Sequence, residues 1–478
     1  MTSSNSNPGN DNISSDSTST LSSSTLSSSS LSLSSSNLAA RVLVVGGGGR
    51  EHALCWKLAH SPRVESIYCA PGNGGTRFEP KVQNVDIAPG DFSKLIAFAK
   101  DQLIDLTVIG PDNPLSEGIV DAFQEAGLRV FGPTRESARL EWSKAFAKEF
   151  MSEVGIPTPR FLICDSYEQA CDALKENQWA RVIKADGLAL GKGVFVCDTE
   201  EECLEALDQI FRKKTFGAAG ERVLLEEKIS GFEISLLMFC DGTTLVPMPP
   251  SQDHKRRFDH DKGPNTGGMG VYAPMPGYER YQEEIEQNII EPLRAALRSG
   301  KLNFKGIIYA GIIYGASPDS LVNVDTAADK PRAQVLEFNA RFGDPETQAL
   351  LPLLTSDLYD ILYSCTESKL SEMEISWSTW SSCCVVAAAK SYPESSSKGK
   401  EISIGALPGG TVIFHAGTEG DETSLKTNGG RVLALNSVRP TLQEARDVAY
   451  AALTKVEFED MDFRKDIARR ALEQCLST

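Results

Sequence analysis

The chain has no run approaching the ~20 uninterrupted apolar residues that a bilayer-crossing helix needs, so no membrane contact is expected. Its eleven cysteines lack paired spacing, which argues against a disulfide framework and fits a reducing compartment. Lysine and arginine are absent from the first forty residues, eighteen of which are serine. That stretch lacks both the charged start and the apolar centre of a secretory signal, and it lacks the basic content of a transit peptide. It reads as a disordered tail over 1–40, with the cytoplasm as the expected location and a plastid as the alternative. Positive charge is in deficit overall, with a formal net charge of −17, so nucleic acid is not an expected partner. A small anionic substrate would need local cations or backbone amides to enter such a field.

What is present reads as globular, with 41% hydrophobic and 24% charged residues, and the length suggests about three domains. The expected units are an N-terminal α/β domain over 41–143, a central one over 144–355 and a smaller α/β domain over 356–478. The first opens with the buried-strand pattern Arg41–Val45, a run of four glycines and a helix from Arg50 to about Leu58. Further strands at Ser66–Ala70 and Leu106–Ile109, with a helix near Phe92–Ala99 between them, predict an open parallel sheet. Loops at the carboxyl ends of such strands form the binding edge, which selects Gly46, Gly48, Gly72, Asn73, Gly74, Gly110, Pro111 and Asp112 as substrate-binding candidates. A nicotinamide cofactor is disfavoured, because the second strand ends Tyr68-Cys69-Ala70 with no acidic residue for the ribose. A tight strand-to-helix turn without a ligand is the plainer alternative.

A long amphipathic helix is predicted from about Glu136 to Met151, carrying Lys144. The strand Val182–Ala185 then holds Lys184 in an apolar setting, where burial is costly unless an anion meets it. It runs into a glycine-rich flap with Gly187, Gly191, Lys192 and Gly193, able to lay backbone amides over a triphosphate, while Lys192 could equally face solvent. Strand Val223–Glu226 breaks into a charged connector with Glu227 and Ile229 before a strand Ile234–Phe239. Such a connector could present an edge to adenine and let Glu233 reach a ribose, or be a hairpin with solvated glutamates. A long loop region follows, with the chain's densest positive cluster and the candidates Asp253, Lys255, Arg256, Thr266, Gly267 and Gly268 for a substrate phosphate. His254, with no second histidine or cysteine at ligand spacing, reads as a hydrogen-bonding residue. Beyond Leu354 come a helix to about Ser364, strands near Cys384–Ala389, Thr411–His415 and Arg431–Leu435, and a final helix from about Leu442, with no evident chemistry.

The segment Glu337-Phe338-Asn339-Ala340-Arg341-Phe342-Gly343-Asp344-Pro345-Glu346-Thr347-Gln348 carries the most information. Period-two alternation puts Glu337 and Asn339 on one strand face, where their oxygens suit Mg²⁺, with Mn²⁺ a possible substitute. The alternative is a solvated strand face before an ordinary helix start.

Together these segments resemble the ATP-grasp superfamily and, within it, the phosphoribosylamine-glycine ligase family, from Arg41 to the C-terminus. The resemblance implies two α+β subdomains clasping ATP, flanked by an open parallel-sheet domain and a small C-terminal α/β domain. It implies a monofunctional, monomeric enzyme acting on 5-phosphoribosylamine, glycine and ATP by way of glycyl phosphate. It places Lys144, Lys184 and the flap on the phosphates, Glu226 to Ile229 at adenine, Glu233 at ribose, and Glu337 and Asn339 on the metal. Arg341 is then expected to neutralise developing charge and Asp344 to orient an amine. Other members often have a further acidic ligand on the preceding strand, and Gly306–Tyr314 supplies none. A carboxylase of the same superfamily and a nucleotide-binding regulator are the rival readings.

Overall fold

A computed structural model describes residues 39–189, 193–317, 330–421 and 423–475. The N-terminal strand β1 (Ala40–Gly46) carries four consecutive residues without solvent exposure, Val42 to Val45, as a strand covered on both faces requires. It pairs in parallel with β2 (Val64–Pro71) and β4 (Leu106–Ile109). The sheet is completed by β3 (Val82–Asn84) and β5 (Val130–Phe131) in the order β3-β2-β1-β4-β5. Three- and two-residue strands are too short to leave a periodic pattern, which is why only the longer strands were legible. Strand order reverses between β1 and β4, and the turns after them, leading into the helices Gly49–Ala59 and Asp112–Glu117, open on the same edge.

The single helix expected over 136–151 is two: Arg139–Trp142 and Lys144–Val154. Ser143 breaks it with φ −120° and ψ 102°, and its hydroxyl accepts the Phe146 N–H at 3.3 Å, the role serine performs at a helix N-cap. Gly155, at φ 77°, stops the second helix.

Two antiparallel sheets follow. The first has the order β6-β9-β7-β8, from β6 (Phe161–Cys164), β7 (Ala180–Ala185), β8 (Val194–Val196) and β9 (Val223–Glu227). The connector to the second sheet is only Lys228-Ile229, since β10 (Ser230–Asp241) starts earlier than its sequence suggested. In that sheet β11 (Leu245–Pro247), β10 and the strands Lys305–Ala316 and Arg332–Asn339 lie in this order. A bulge interrupts the last pairing, where Gly311 faces Glu337 but Ile312 faces Val335. The extra residue, Leu336, breaks the expected alternation and presents its carbonyl to Lys184 Nζ at 3.3 Å.

The region read as a structureless loop is partly strand. Gln252–Asp253 and Gly270–Ala273 join a sheet built mainly from Ser381–Ala389, Arg431–Arg439 and Thr411–His415, and Arg256–Phe258 pairs with Lys262–Asn265. Burial of Met269, Val271 and Tyr272 explains the insertion. The helix Leu442–Leu453 packs on that sheet, and one more helix, Arg469–Cys475, follows where none was foreseen. Phe342, 1% exposed, joins two layers, its ring 6.1 Å from Phe131 and 6.3 Å from Phe239. No helix among the described residues is long and apolar enough to cross a membrane.

Candidate active site

A cleft of about 960 Å³ runs between the two antiparallel sheets and reaches both flanking sheets. Strand β7 carries Lys184 onto its wall, and the adjacent β9 carries Glu226 onto the same wall. The Glu226 carboxylate lies 2.9 Å from Lys184 Nζ and 3.3 Å from Lys148 Nζ, all three side chains at most 6% exposed. The anion that the buried Lys184 demanded is therefore, in the ligand-free protein, Glu226. Burial pushes Lys148 down to about 8 despite the pull of Glu226. It lowers Lys144 as well, whose ammonium donates to the Gly187 carbonyl at 2.8 Å and so ties the helix Lys144–Val154 to the base of the flap. Glu227 forms a two-bond pair with Arg160, at 2.9 and 2.7 Å. With both side chains engaged, this connector offers a nucleotide chiefly its backbone and Ile229.

Across the cleft, Glu337 and Asn339 line the wall from the strand Arg332–Asn339. Burial alone would raise the Glu337 carboxyl, but Lys255, Lys184, Lys144 and Arg341 outweigh it and hold it below the usual carboxylate range. Lys255 Nζ bridges Glu233 at 2.8 Å and Glu337 at 3.7 Å, and those carboxylates, with Tyr309, raise it against the effect of burial. Glu337 and Asn339 fit a hard divalent cation, being an ionised carboxylate and an amide on one wall. Among the described residues no cluster of three histidine, cysteine, aspartate or glutamate side chains could hold a metal, so nucleotide oxygens and water would complete the shell. No carboxylate projects from Lys305–Ala316. Tyr309 and Ile313 face the cleft there, and the Tyr309 hydroxyl donates to buried Glu346 at 2.8 Å.

At the far end stand Arg341 and Asp344. Arg341 Nη2 lies 2.9 Å from Glu141 and donates to Asn339 Oδ1 at 3.2 Å. Asp344 meets Arg431 Nη2 at 3.2 Å, and Arg431 Nη1 also donates to the Asp344 carbonyl at 2.8 Å and the Gly267 carbonyl at 2.6 Å. Burial would raise the Asp344 carboxyl, but Arg431 and Arg50, with a hydrogen bond from Gln348, keep it low. The Tyr392 hydroxyl oxygen accepts the Gly267 N–H at 2.8 Å. Cations and an ionised metal-competent pair at one end, with an arginine and aspartate at the other, suit a nucleotide phosphate chain abutting a small polar substrate.

Three family models match in succession: the N domain of phosphoribosylglycinamide synthetase over residues 40–141, its ATP-grasp domain over 142–347 and its C domain over 382–470. The chain belongs to the phosphoribosylglycinamide synthetase family. It is 43% identical to the phosphoribosylamine–glycine ligase of Caldanaerobacter subterraneus subsp. tengcongensis, over 90% of this chain and 99% of that one. The Halalkalibacterium halodurans protein of the same name is 45% identical, over 91% of this chain and 97% of its own. Among solved structures, the phosphoribosylamine–glycine ligase of Thermotoga maritima superposes with a TM-score of 0.75 at 32% identity, covering 90% of this chain and all of that one. A biotin carboxylase domain from Hydrogenobacter thermophilus shares the fold, with a TM-score of 0.65 at 15% identity over 88% of this chain and 91% of that one.

The cleft gathers Lys144, Lys184, Gly187, Gly193, Glu226, Glu227, Ile229, Glu233, Asp253, Lys255, Arg256, Thr266, Gly267, Glu337, Asn339, Arg341, Asp344 and Asp112. Gly191 and Lys192 lie outside the described residues. The remaining loop candidates are not among its lining residues, and each has close local contacts. At Gly46, with φ 128°, a Cβ would sit 2.5 Å from Glu51 Cγ, and at Gly110 it would sit 1.9 Å from Glu51 Oε1. These glycines make room for a buried carboxylate, which accepts the Gly48 N–H at 2.6 Å. Asn73 is buried and donates to the carbonyls of Gly47 and His415, while its own Oδ1 accepts the N–H groups of Gly75 and Thr76. Gly72 and Gly74 abut Asn84 and Thr418, Gly268 abuts Asp253 and Pro345, and Pro111 precedes the helix bearing Asp112. His254 hydrogen-bonds the Gly270 carbonyl at 3.2 Å, as expected. Arg50, Glu141, Lys148, Glu346 and Arg431 were missed. Lys148 alone had a local signal, one helical turn beyond Lys144.

Proposed function

We propose that the chain joins glycine to 5-phosphoribosylamine at the expense of ATP, releasing glycinamide ribonucleotide, ADP and phosphate. The observation that carries this reading is the convergence of Lys144, Lys184, Glu337, Asn339, Arg341 and Asp344 on one cleft in a chain matched along its length by one enzyme family.

The γ-phosphoryl group of ATP passes to the glycine carboxylate. The amine of 5-phosphoribosylamine then attacks the acyl carbon of glycyl phosphate, and inorganic phosphate leaves. Such chemistry needs positioning and charge neutralisation more than a covalent protein group. Lys144 and Lys184 neutralise phosphate oxygens, with Gly187 and Gly193 lining the cleft beside them. Glu337 and Asn339 would hold Mg²⁺, or Mn²⁺ in its place, which when bound offsets charge on the transferring phosphate. Arg341 faces the acyl phosphate, and Asp344, kept ionised by Arg431 and Arg50, orients the incoming amine. Lys255, Arg256, Thr266 and Gly267 flank the sugar phosphate. The described cysteines are free, which supports a reducing compartment such as the cytoplasm.

Release of ADP, followed with glycine in the presence and absence of 5-phosphoribosylamine, tests the reading. Turnover that requires both supports it. Turnover with bicarbonate in place of glycine selects a carboxylase, and nucleotide binding without turnover selects a regulator.

A further inference from the structure

Glu141 sits in the short helix Arg139–Trp142, outside every motif read from the sequence, and its side chain is 8% exposed. Its two oxygens are divided between two neighbours. Oε1 lies 2.9 Å from Arg341 Nη2, and Oε2 accepts the Ala340 N–H at 2.8 Å. One carboxylate thus holds both the guanidinium of Arg341 and the peptide immediately before it. Arg341 makes further bonds through Nη2 to Asn339 Oδ1 and through Nη1 to the Phe342 carbonyl, each at 3.2 Å. Its Nε is buried and has no protein partner, although the residue lines the cleft. The guanidinium as a whole borders the cleft, where a ligand oxygen can meet it. Orientation of a planar guanidinium decides which of its donors meets that oxygen.

We propose that Glu141 is a positioning residue, holding Arg341 so that the cleft-facing side of its guanidinium meets an oxyanion of the bound substrate, first the amino-acid carboxylate and then the acyl phosphate. The inference rests on the proposed function. Arg341 is the group in contact with substrate, and Glu141 acts through it. Removing Glu141 should therefore weaken the carboxylate substrate selectively, while the nucleotide, held by Lys144 and Lys184, is spared.

The test compares the wild type with Glu141→Gln, which keeps the size but cannot offer two acceptor oxygens, and with Glu141→Asp, which withdraws the carboxylate by one methylene. In the ADP-release assay the expected result is a glycine KM raised about tenfold and a lowered kcat, with the ATP KM within twofold of wild type. Isothermal titration of glycine in the presence of a non-hydrolysable ATP analogue should show a similar weakening without any turnover. Arg341→Lys combined with Glu141→Gln should lose little beyond Arg341→Lys alone. If Glu141→Gln does not fold, Glu141→Asp supplies the comparison. Glycine affinity and kcat within twofold of wild type in the variants, or losses that add fully in the double variant, would overturn the inference. A wild type that binds glycine but releases no ADP sinks the proposed function instead, and the titration still decides the role of Glu141.

Discussion

Glu226→Gln removes the negative charge that lies directly between the buried ammonium groups of Lys184 and Lys148. Each lysine lies about 3 Å from the carboxylate, which at an effective dielectric of about 20 corresponds to about 5 kcal/mol of attraction per pair. Desolvation of all three groups offsets most of that sum. What the substitution exposes is the other side of the balance, since both lysines stay buried with only the more distant Glu337 as counter-charge. Breaking buried pairs in this way costs about 3–5 kcal/mol. At about 2–4 °C per kcal/mol for a domain of this size, calorimetry should show melting lowered by about 6–20 °C. A non-hydrolysable ATP analogue should recover a larger share of the loss in the variant than it adds to the wild type, because phosphate oxygens supply the missing charge. A loss below about 1 kcal/mol would refute the reasoning and mean that Lys184 and Lys148 find other compensation.

Lys148→Met tests the titration of the same cluster. A lysine depressed to about 8 in the folded chain binds fewer protons there than when unfolded, so its contribution to stability rises with pH from about 8 towards its ordinary range. Urea unfolding across pH 7.5–10 should show that rise in the wild type and a flatter profile in the variant. Phe342→Ala should cost about 3–5 kcal/mol by emptying the junction beside Arg341, and chemical denaturation measures it. Arg431→Ala removes the principal cation beside Asp344, so that carboxyl should climb towards its ordinary range. The acid limb of the kcat/KM profile should then move to higher pH. Gly110→Ala should destabilise by about 2 kcal/mol or more, since its Cβ would overlap the Glu51 carboxylate; a thermal melt near that of wild type would contradict the packing described.

Local chemistry explains which parts were legible. Val42 to Val45 announced a doubly covered strand, and the alternation at Glu337 and Asn339 announced a polar pair on one wall of the cleft, because each signal lies within one element. The bulge at Leu336 was silent, since it depends on a register with Gly311 and Ile312 across the sheet. Arg431 could not be assigned because its partner Asp344 is 87 residues away, and Glu141 lies 199 residues from the Ala340 N–H it accepts. The glycine loops carry a second constraint that composition hides, since at Gly46 and Gly110 the space a Cβ would need is taken by Glu51, from the helix that follows β1. A split in the helix at Ser143 was written in the chain, since serine is a common N-cap, but amphipathic periodicity across the break hid it.

The strands Gln252–Asp253 and Gly270–Ala273 are stitched into a sheet whose other members arrive more than a hundred residues later. A truncation after the Glu337–Gln348 segment would therefore strip Gly270–Ala273 of its neighbour Ser381–Ala389 and leave apolar Val271 and Tyr272 bare. The nucleotide-clasping half is not a portable module, and grafting it onto another scaffold would require carrying the C-terminal strands along with it.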